Sequence, residues 1–113
     1  MLRGEIWWVD FGTPRGSVQG GRRPALVIQN NKGNASSSTT IIAAITSREK
    51  TRYPFHVEFT AEESGLNHNG TVLCEQILTI DIMRLEKRAG MLPPGKMDEV
   101  DKALAVSLSL QIA

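Results

Sequence analysis

TVLCEQILTI, residues 71–80, reads as one strand long enough to bend around a small barrel, with Asn67, Asn69 and Gly70 supplying the turn before it. Two shorter runs on its N-terminal side strengthen the reading. PALVIQ (24–29) and TIIAAIT (40–46) are continuous apolar stretches of strand length bounded by Asn, Gly and Ser, as expected of central strands buried on both faces or nearly so. EIWWVDF (5–11) mixes β-branched and aromatic residues and is followed by Gly-Thr-Pro-Arg-Gly, a strand leaving into a loop that runs to about Arg22. HVEFT (56–60) alternates, with Val57 and Phe59 on one face and His56, Glu58 and Thr60 on the other, as in a half-exposed strand.

The period changes near the C-terminus. Met97, Val100, Ala103, Leu104, Ser107 and Leu108 follow steps of three and four, and Asp98, Glu99 and Asp101 are expected in the first turn, where the helix dipole favours acids. Pro93, Pro94 and Gly95 punctuate the start of this helix. Five or six strands closed by one helix predict a mainly β fold: a small, strongly curved, SH3-like antiparallel barrel with a C-terminal α-helix, one domain over residues 1–113. Val106, Leu110 and Ile112 lie off the main helical stripe, which suggests either wide burial or use in a dimer.

Composition agrees with a globular chain: 41% of the 113 residues are apolar and 22% are charged. The formal net charge of +1 hides a split, because residues 1–57 hold eight Lys/Arg against three Asp/Glu and residues 58–113 hold five against nine. A basic half raises the expectation of a polyanion partner. Cys74 has no second cysteine to pair with, and one Cys with two His is too few for the common closed zinc sites, so no metal is expected and a reducing, cytoplasmic setting fits. No apolar run approaches the roughly 18 residues of a membrane span, and the first residues lack the apolar stretch of a signal peptide, so no membrane association is expected.

Several stretches offer chemistry, each beside a plainer reading. In Gly16-Ser17-Val18-Gln19-Gly20-Gly21-Arg22-Arg23-Pro24, the glycines could let the backbone approach a ligand and the arginines could present planar forks to a phosphate; composition alone favours a flexible hairpin with solvated arginines. Thr46 ends a buried strand and opens onto Ser47, Arg48, Lys50 and Arg52, where its hydroxyl can bond a phosphate oxygen or simply terminate the strand. One of Glu75 and Gln76 faces inward or toward a groove, and the Gln76 amide can pair with a base edge or make a structural bond. His56 and His68 are an obvious acid–base set for phosphodiester transfer, yet nothing ties them together, and His68 sits in an Asn- and Gly-rich turn. Trp7 and Trp8 face opposite sides, one for the core and the other for a base, a partner or the core. Cys74, among apolar neighbours, reads as an inert buried thiol.

RGEIWWVDFG, GSVQGGRRPALVIQN, IIAAITS, HVEF, EQILTID and MDEVDKALAVSLSL together resemble, in order and spacing, the MazF/PemK family of toxin endoribonucleases, from Arg3 to about Leu110. The resemblance implies a homodimer of SH3-like barrels, of the type shared by CcdB and PemK, that cleaves single-stranded RNA at short sequences without a metal ion or cofactor. It also implies a MazE-like antitoxin whose acidic segment covers the RNA groove. Matched by motif, the family's catalytic Arg falls on Arg23 and its catalytic Thr on Thr46; Arg22 is not transferred. Ser17, Gln19, Gly20, Gly21, Ser47, Arg48 and Gln76 fall in regions that contact RNA in relatives. Val18 stands where many relatives carry an acid and Leu78 where many carry Arg, so a different cutting preference is expected.

Those residues imply attack by the RNA's own 2′-hydroxyl on the adjacent phosphorus, giving a 2′,3′-cyclic phosphate or its 3′-phosphate product and a 5′-hydroxyl end. Arg23 and Thr46 would stabilise charge on the phosphoryl oxygens. Arg23 is a poor general base because guanidinium hardly deprotonates below pH about 12, and the base is left unassigned. Two other readings share the fold: a CcdB-like toxin that binds gyrase and cuts nothing, and an inactive SH3-like nucleic-acid-binding domain. The acidic residues of the second half, Glu58, Glu62 and Glu63 among them, are expected away from Arg23 and Thr46.

Overall fold

The apolar run at 40–46 becomes a central strand with a core on each side. In the computed structural model, which describes residues 1–13, 16, 20–48 and 52–111, the strands are β1 (Glu5–Asp10), β2 (Arg22–Val27), β3 (Thr39–Thr46), β4 (His56–Phe59), β5 (Gly70–Asp81) and β6 (Lys87–Met91). They form one antiparallel sheet in the order β4-β5-β3-β2-β1-β6. Helices α1 (Asn31–Ser36), α2 (Ala61–Ser64) and α3 (Pro94–Leu108) are placed around it, with a 3₁₀ turn at Ile82–Arg84. The sheet curls into a half-barrel, and α3 packs on β4 and β5.

Strand alternation divides the core. Ile6, Leu26, Ala43, Ile45, Val57, Phe59 and Val72 form one buried cluster with Val100 and Ala103 of α3. Val9, Ala25, Val27, Ile42 and Ile80 form a second, joined by Trp7 and Phe11. This is why β2 and β3 read as unbroken apolar runs: both faces are covered. The bend expected of β5 is a bulge. Ala43 pairs with Ile77 but Ala44 with Leu73, so Cys74–Gln76 are extra residues on β5, and such an insertion bends and twists a strand.

Three features differ from the expectation. The loop after β1 ends earlier than predicted, because Arg22 and Arg23 pair with Asp10 and Val9 and so belong to β2. The terminal helix starts at Pro94, which puts Asp98, Glu99 and Asp101 past its first turn; proline suits the opening position because its missing N–H has no helical partner there. The short helices α1 and α2 and the strand β6 have no counterpart in the sequence reading. Ile112 lies outside the described residues, and Val106 and Leu110 of the off-stripe set are exposed. Among the described residues no helix is long and apolar enough to cross a membrane.

Candidate active site

The strand register brings Arg23 and Thr46 together. Ala25 on β2 pairs with Ala44 on β3, and two residues beyond that pair on each strand stand Arg23 and Thr46. Period-two alternation keeps each on its alanine's face, at the end where the two strands part. Thr46 is 1% exposed, and its Oγ1 accepts from the Arg48 N–H at 3.2 Å, which ties the following loop to the strand end. Arg23 is half-buried, and its Nε donates to the Gly20 carbonyl at 2.7 Å.

That carbonyl is aimed by the turn. Gly21 sits at φ +76°, a left-handed conformation that glycine adopts without a Cβ penalty, and its N–H and C=O bond to Gly12 and Phe11 across the loop. The glycine pair therefore holds the Arg23 side chain from behind. Ser17, Val18 and Gln19 lie outside the described residues, as does Lys50.

A hollow of about 600 Å³ opens over these groups, lined by Gly20–Pro24, Ile45–Ser47, the 65–70 loop and Lys87–Ala89, with Trp8 and Phe59. Among the described residues four cations, Arg22, Arg23, Lys87 and Arg88, line it, and no carboxylate does. Two of these cations are engaged at their backs. Glu86 holds Arg22 at 2.7 Å and raises the pKa of its guanidinium by direct hydrogen bonding, and Glu5 lies 3.5 Å from Arg88. Among the described residues Arg23 and Lys87 have no carboxylate partner.

A second, smaller hollow of about 480 Å³ adjoins the first and shares Ser47, Phe59, Asn69 and Gly70 with it. Arg48, Glu58, Glu63 and Lys96 line it. Glu58 and Glu63 thus stay out of the Arg23–Thr46 hollow but border it more closely than expected. Glu58 is paired with Arg52 at 2.7 Å, and that contact holds its carboxyl below the ordinary range.

Other candidates separate. Gln76 is half-buried in the β5 bulge and lines neither hollow. Leu78 is exposed on β5. Trp7 belongs to the second core cluster and donates its indole N–H to Glu5 at 3.1 Å, whereas Trp8 lines the hollow. Cys74 is fully buried, and burial pushes its thiol pKa up to about 12. Among the described residues no three His, Cys, Asp or Glu side chains gather as a metal ion would require.

The two histidines part company. The His56 side chain is 4% exposed, with Nε2 2.9 Å from the Glu75 carboxylate and the rings of Tyr53 and Phe55 edge-on at 5.4 and 5.0 Å. His68 lines the hollow with Arg23 and Thr46. The sequence reading did not bring His68, Lys87 or Arg88 here. The turn signal at 67–70 places His68 on a loop, but only the packing of α2 on β6 brings that loop over the strand ends.

A family model described as the PemK-like, MazF-like toxin of type II toxin–antitoxin systems matches residues 2–108. The chain is 46% identical over 111 residues to the endoribonuclease EndoA of Bacillus subtilis (strain 168), covering 97% of this chain and 96% of that one. Among solved structures, a mycobacterial endoribonuclease in complex with its cognate antitoxin superposes with a TM-score of 0.83 at 25% identity, covering 100% of this chain and 99% of that one. MazF from Deinococcus radiodurans superposes with a TM-score of 0.80 at 31% identity, over 96% of each chain.

Proposed function

The chain belongs to the PemK-like, MazF-like toxin family of type II toxin–antitoxin systems, and from that premise we propose that it is an endoribonuclease cutting single-stranded RNA in the hollow between β2 and β3. The observation that carries this reading is the placement of Arg23 and Thr46 at adjacent strand ends, inside a hollow lined, among the described residues, by four cations and no carboxylate. A polyanion is the ligand such a lining favours.

In the proposed reaction the 2′-hydroxyl attacks the neighbouring phosphorus and the 5′-oxygen leaves. Arg23 and Thr46 are the catalytic pair. With its Nε held by the Gly20 carbonyl, Arg23 directs its remaining N–H groups to the phosphoryl oxygens, and Thr46 donates its hydroxyl to them. These donors are set before charge develops, so little reorganisation opposes them. The step needs a ribose free to turn into line with the scissile bond, which favours single strands over duplexes. Nothing in it calls for a metal ion or cofactor.

Gly20, Gly21, Ser47 and Arg48 border the groove and are the proposed RNA contacts, with Ser17, Gln19 and Gln76 completing the set. The partner that restrains the toxin is a MazE-like antitoxin, whose acidic segment suits the same cations. Val106, Leu108 and Leu110 are at least half exposed along and after the end of α3, an apolar face in keeping with a homodimer. The proposed compartment is the cytoplasm, where mRNA is met.

The test is incubation of the pure protein with a long single-stranded RNA in EDTA, followed by mapping of the new ends. Short-sequence cuts with 5′-hydroxyl ends are expected. Arg23→Ala and Thr46→Ala should each lower the cleavage rate by about 10²-fold or more while the fold persists. Near-parent activity in either folded variant would remove that residue from the catalytic pair, and no cutting by the parent would favour a binding protein.

A further inference from the structure

Resting on this cleavage reading, we propose that His68 is the general base of the site and takes the proton from the attacking 2′-hydroxyl. The reaction needs a proton acceptor, and the residues already assigned do not supply one. Guanidinium and ammonium groups stay protonated near neutrality, and a threonine hydroxyl does not take up a proton there. Among the described residues, the charged groups facing the hollow are Arg22 and Arg23 from β2 and Lys87 and Arg88 from β6, all cations. Beyond Asn69, in the adjoining hollow, lie Glu63 from α2, Glu58 from β4, Arg48 and Lys96 from α3. Among the described residues, His68 is therefore the lining side chain of the main hollow whose type suits it to accept a proton near neutral pH.

The loop that carries His68 is pinned on both sides. Thr60 and Glu63 cap α2 reciprocally, and Gly65 closes it at φ +80° with its N–H on the Ala61 carbonyl. The Leu66 N–H donates to Ser64 Oγ at 3.1 Å, and Asn69 Oδ1 accepts from the Ala61 N–H at 2.8 Å. Gly90 of β6 lets that strand approach α2, since a Cβ there would run into the Ser64 carbonyl. Between these anchors the His68 side chain is exposed, and among the described residues it makes no hydrogen bond or ion pair, so its ring is available to substrate. The other histidine cannot serve, because His56 is buried against Glu75 and lines neither hollow.

In the proposed step the 2′-hydroxyl proton moves to a ring nitrogen of His68 as the oxygen forms its bond to phosphorus. The bond from phosphorus to the 5′-oxygen breaks, its electron pair leaves on that oxygen, and a proton from solvent water completes the 5′-hydroxyl. The imidazolium returns its proton to the solvent, so a 2′,3′-cyclic phosphate and a 5′-hydroxyl form with no co-reactant consumed.

The experiment measures kcat and KM for single-stranded RNA cleavage in EDTA, from about pH 5 to about pH 9, for the parent, His68→Gln, His68→Ala, His56→Gln and Arg23→Ala. His68→Gln should lower kcat by about 10²- to 10⁴-fold with KM near the parent value. It should also lose the parent's fall in rate on the acid side, and added imidazole should restore part of the rate of His68→Ala. His56→Gln should keep the acid limb. The proposal is overturned if His68→Gln retains the parent kcat and acid limb, or if its loss falls in KM with the limb unchanged, as for a mere RNA contact. A parent that cuts and needs Arg23 while ignoring His68 fails this inference alone; a parent that cuts no RNA fails the cleavage reading and this inference with it.

Discussion

His56 and His68 occupy two regions whose difference shows where chemistry can happen on this sheet. His56 has what an oriented catalytic imidazole usually has, a buried ring and a carboxylate 2.9 Å away. Yet it is sealed between Tyr53, Phe55 and β5, and its buried Nδ1 has no hydrogen-bond partner, a condition that typically costs about 1–3 kcal/mol. Among the described residues His68 has no such partner, and it sits instead on the wall of the open hollow that Arg23 and Thr46 also line. Pairing and burial mark a structural histidine here, and access to a cationic cleft marks a functional one. The β4–β5 edge and the β2–β3 end should therefore fail in different ways when cut.

The widest separation is expected between Arg23→Ala and His56→Ala. Arg23→Ala should lose about 10²-fold or more in cleavage rate and less than about 1 kcal/mol in stability, since the fold gives up one hydrogen bond to Gly20. His56→Ala should do the reverse, losing about 2 kcal/mol through a cavity beside Tyr53 and Phe55 while each folded molecule cuts at the parent rate. Denaturant titration and cleavage assays on the same preparations read both quantities. If His56→Ala cut 10²-fold more slowly while fully folded, the division between the two regions would be lost.

What could be read in the sequence follows from the same geometry. The segments 24–29 and 40–46 announce themselves because apolar residues covered on both faces leave unbroken runs, whereas 71–80 stands out by its length, with Glu75, Leu78 and Thr79 exposed along it. β6 does not: Lys-Arg-Ala-Gly-Met has neither run nor clean alternation, and pairing with β1 across a shifted register defines it as an edge strand. Helix α2 is too short to show a period, although Thr60, Glu63 and Gly65 carry its capping signals in plain view. In α3 the cluster of acids drew the first turn too late, whereas Pro94 marks it. Arg23 and Thr46 were legible as motif residues. Lys87, Arg88 and His68 were not, because they reach the hollow only through the β1–β6 pairing and the packing of α2 on β6. The division into a basic and an acidic half also misleads here, since Lys87 and Arg88 come from the acidic half.

A smaller effect tests the back of the cleft. Burial pushes the Glu5 carboxyl up, but hydrogen bonds from the Leu2 N–H and the Trp7 indole, with Arg88 nearby, more than offset this and hold it below its ordinary value. A carboxyl depressed in the folded state contributes stability that is complete above its unfolded pKa, about 4.3 for Glu, and is lost as pH falls through the folded value. Glu5→Gln should therefore cost about 1 kcal/mol at neutral pH and progressively less in acid, by denaturant titration at several pH values. A gap that widened toward low pH would reverse the assigned sign.

The smallest signal comes from Cys74, and it reports on the His56 side. The thiol is fully buried, and burial first, then the Glu75 charge, pushes its pKa up to about 12, so at pH 8 only about one molecule in 10⁴ carries a thiolate. The native protein should resist a thiol reagent that modifies the unfolded chain at once. Its residual rate then measures opening of the β4–β5 edge, because the Cys74 N–H is bonded to the Phe55 carbonyl at 3.0 Å beside His56. His56→Ala should raise that rate severalfold, while His68→Gln and Arg23→Ala, which remove no hydrogen bond of that edge, should leave it unchanged. Labelling that quickened equally in all three variants would mean that the cleft and the β4–β5 edge open as one unit, and the contrast between the two histidines would then describe positions without describing separable parts.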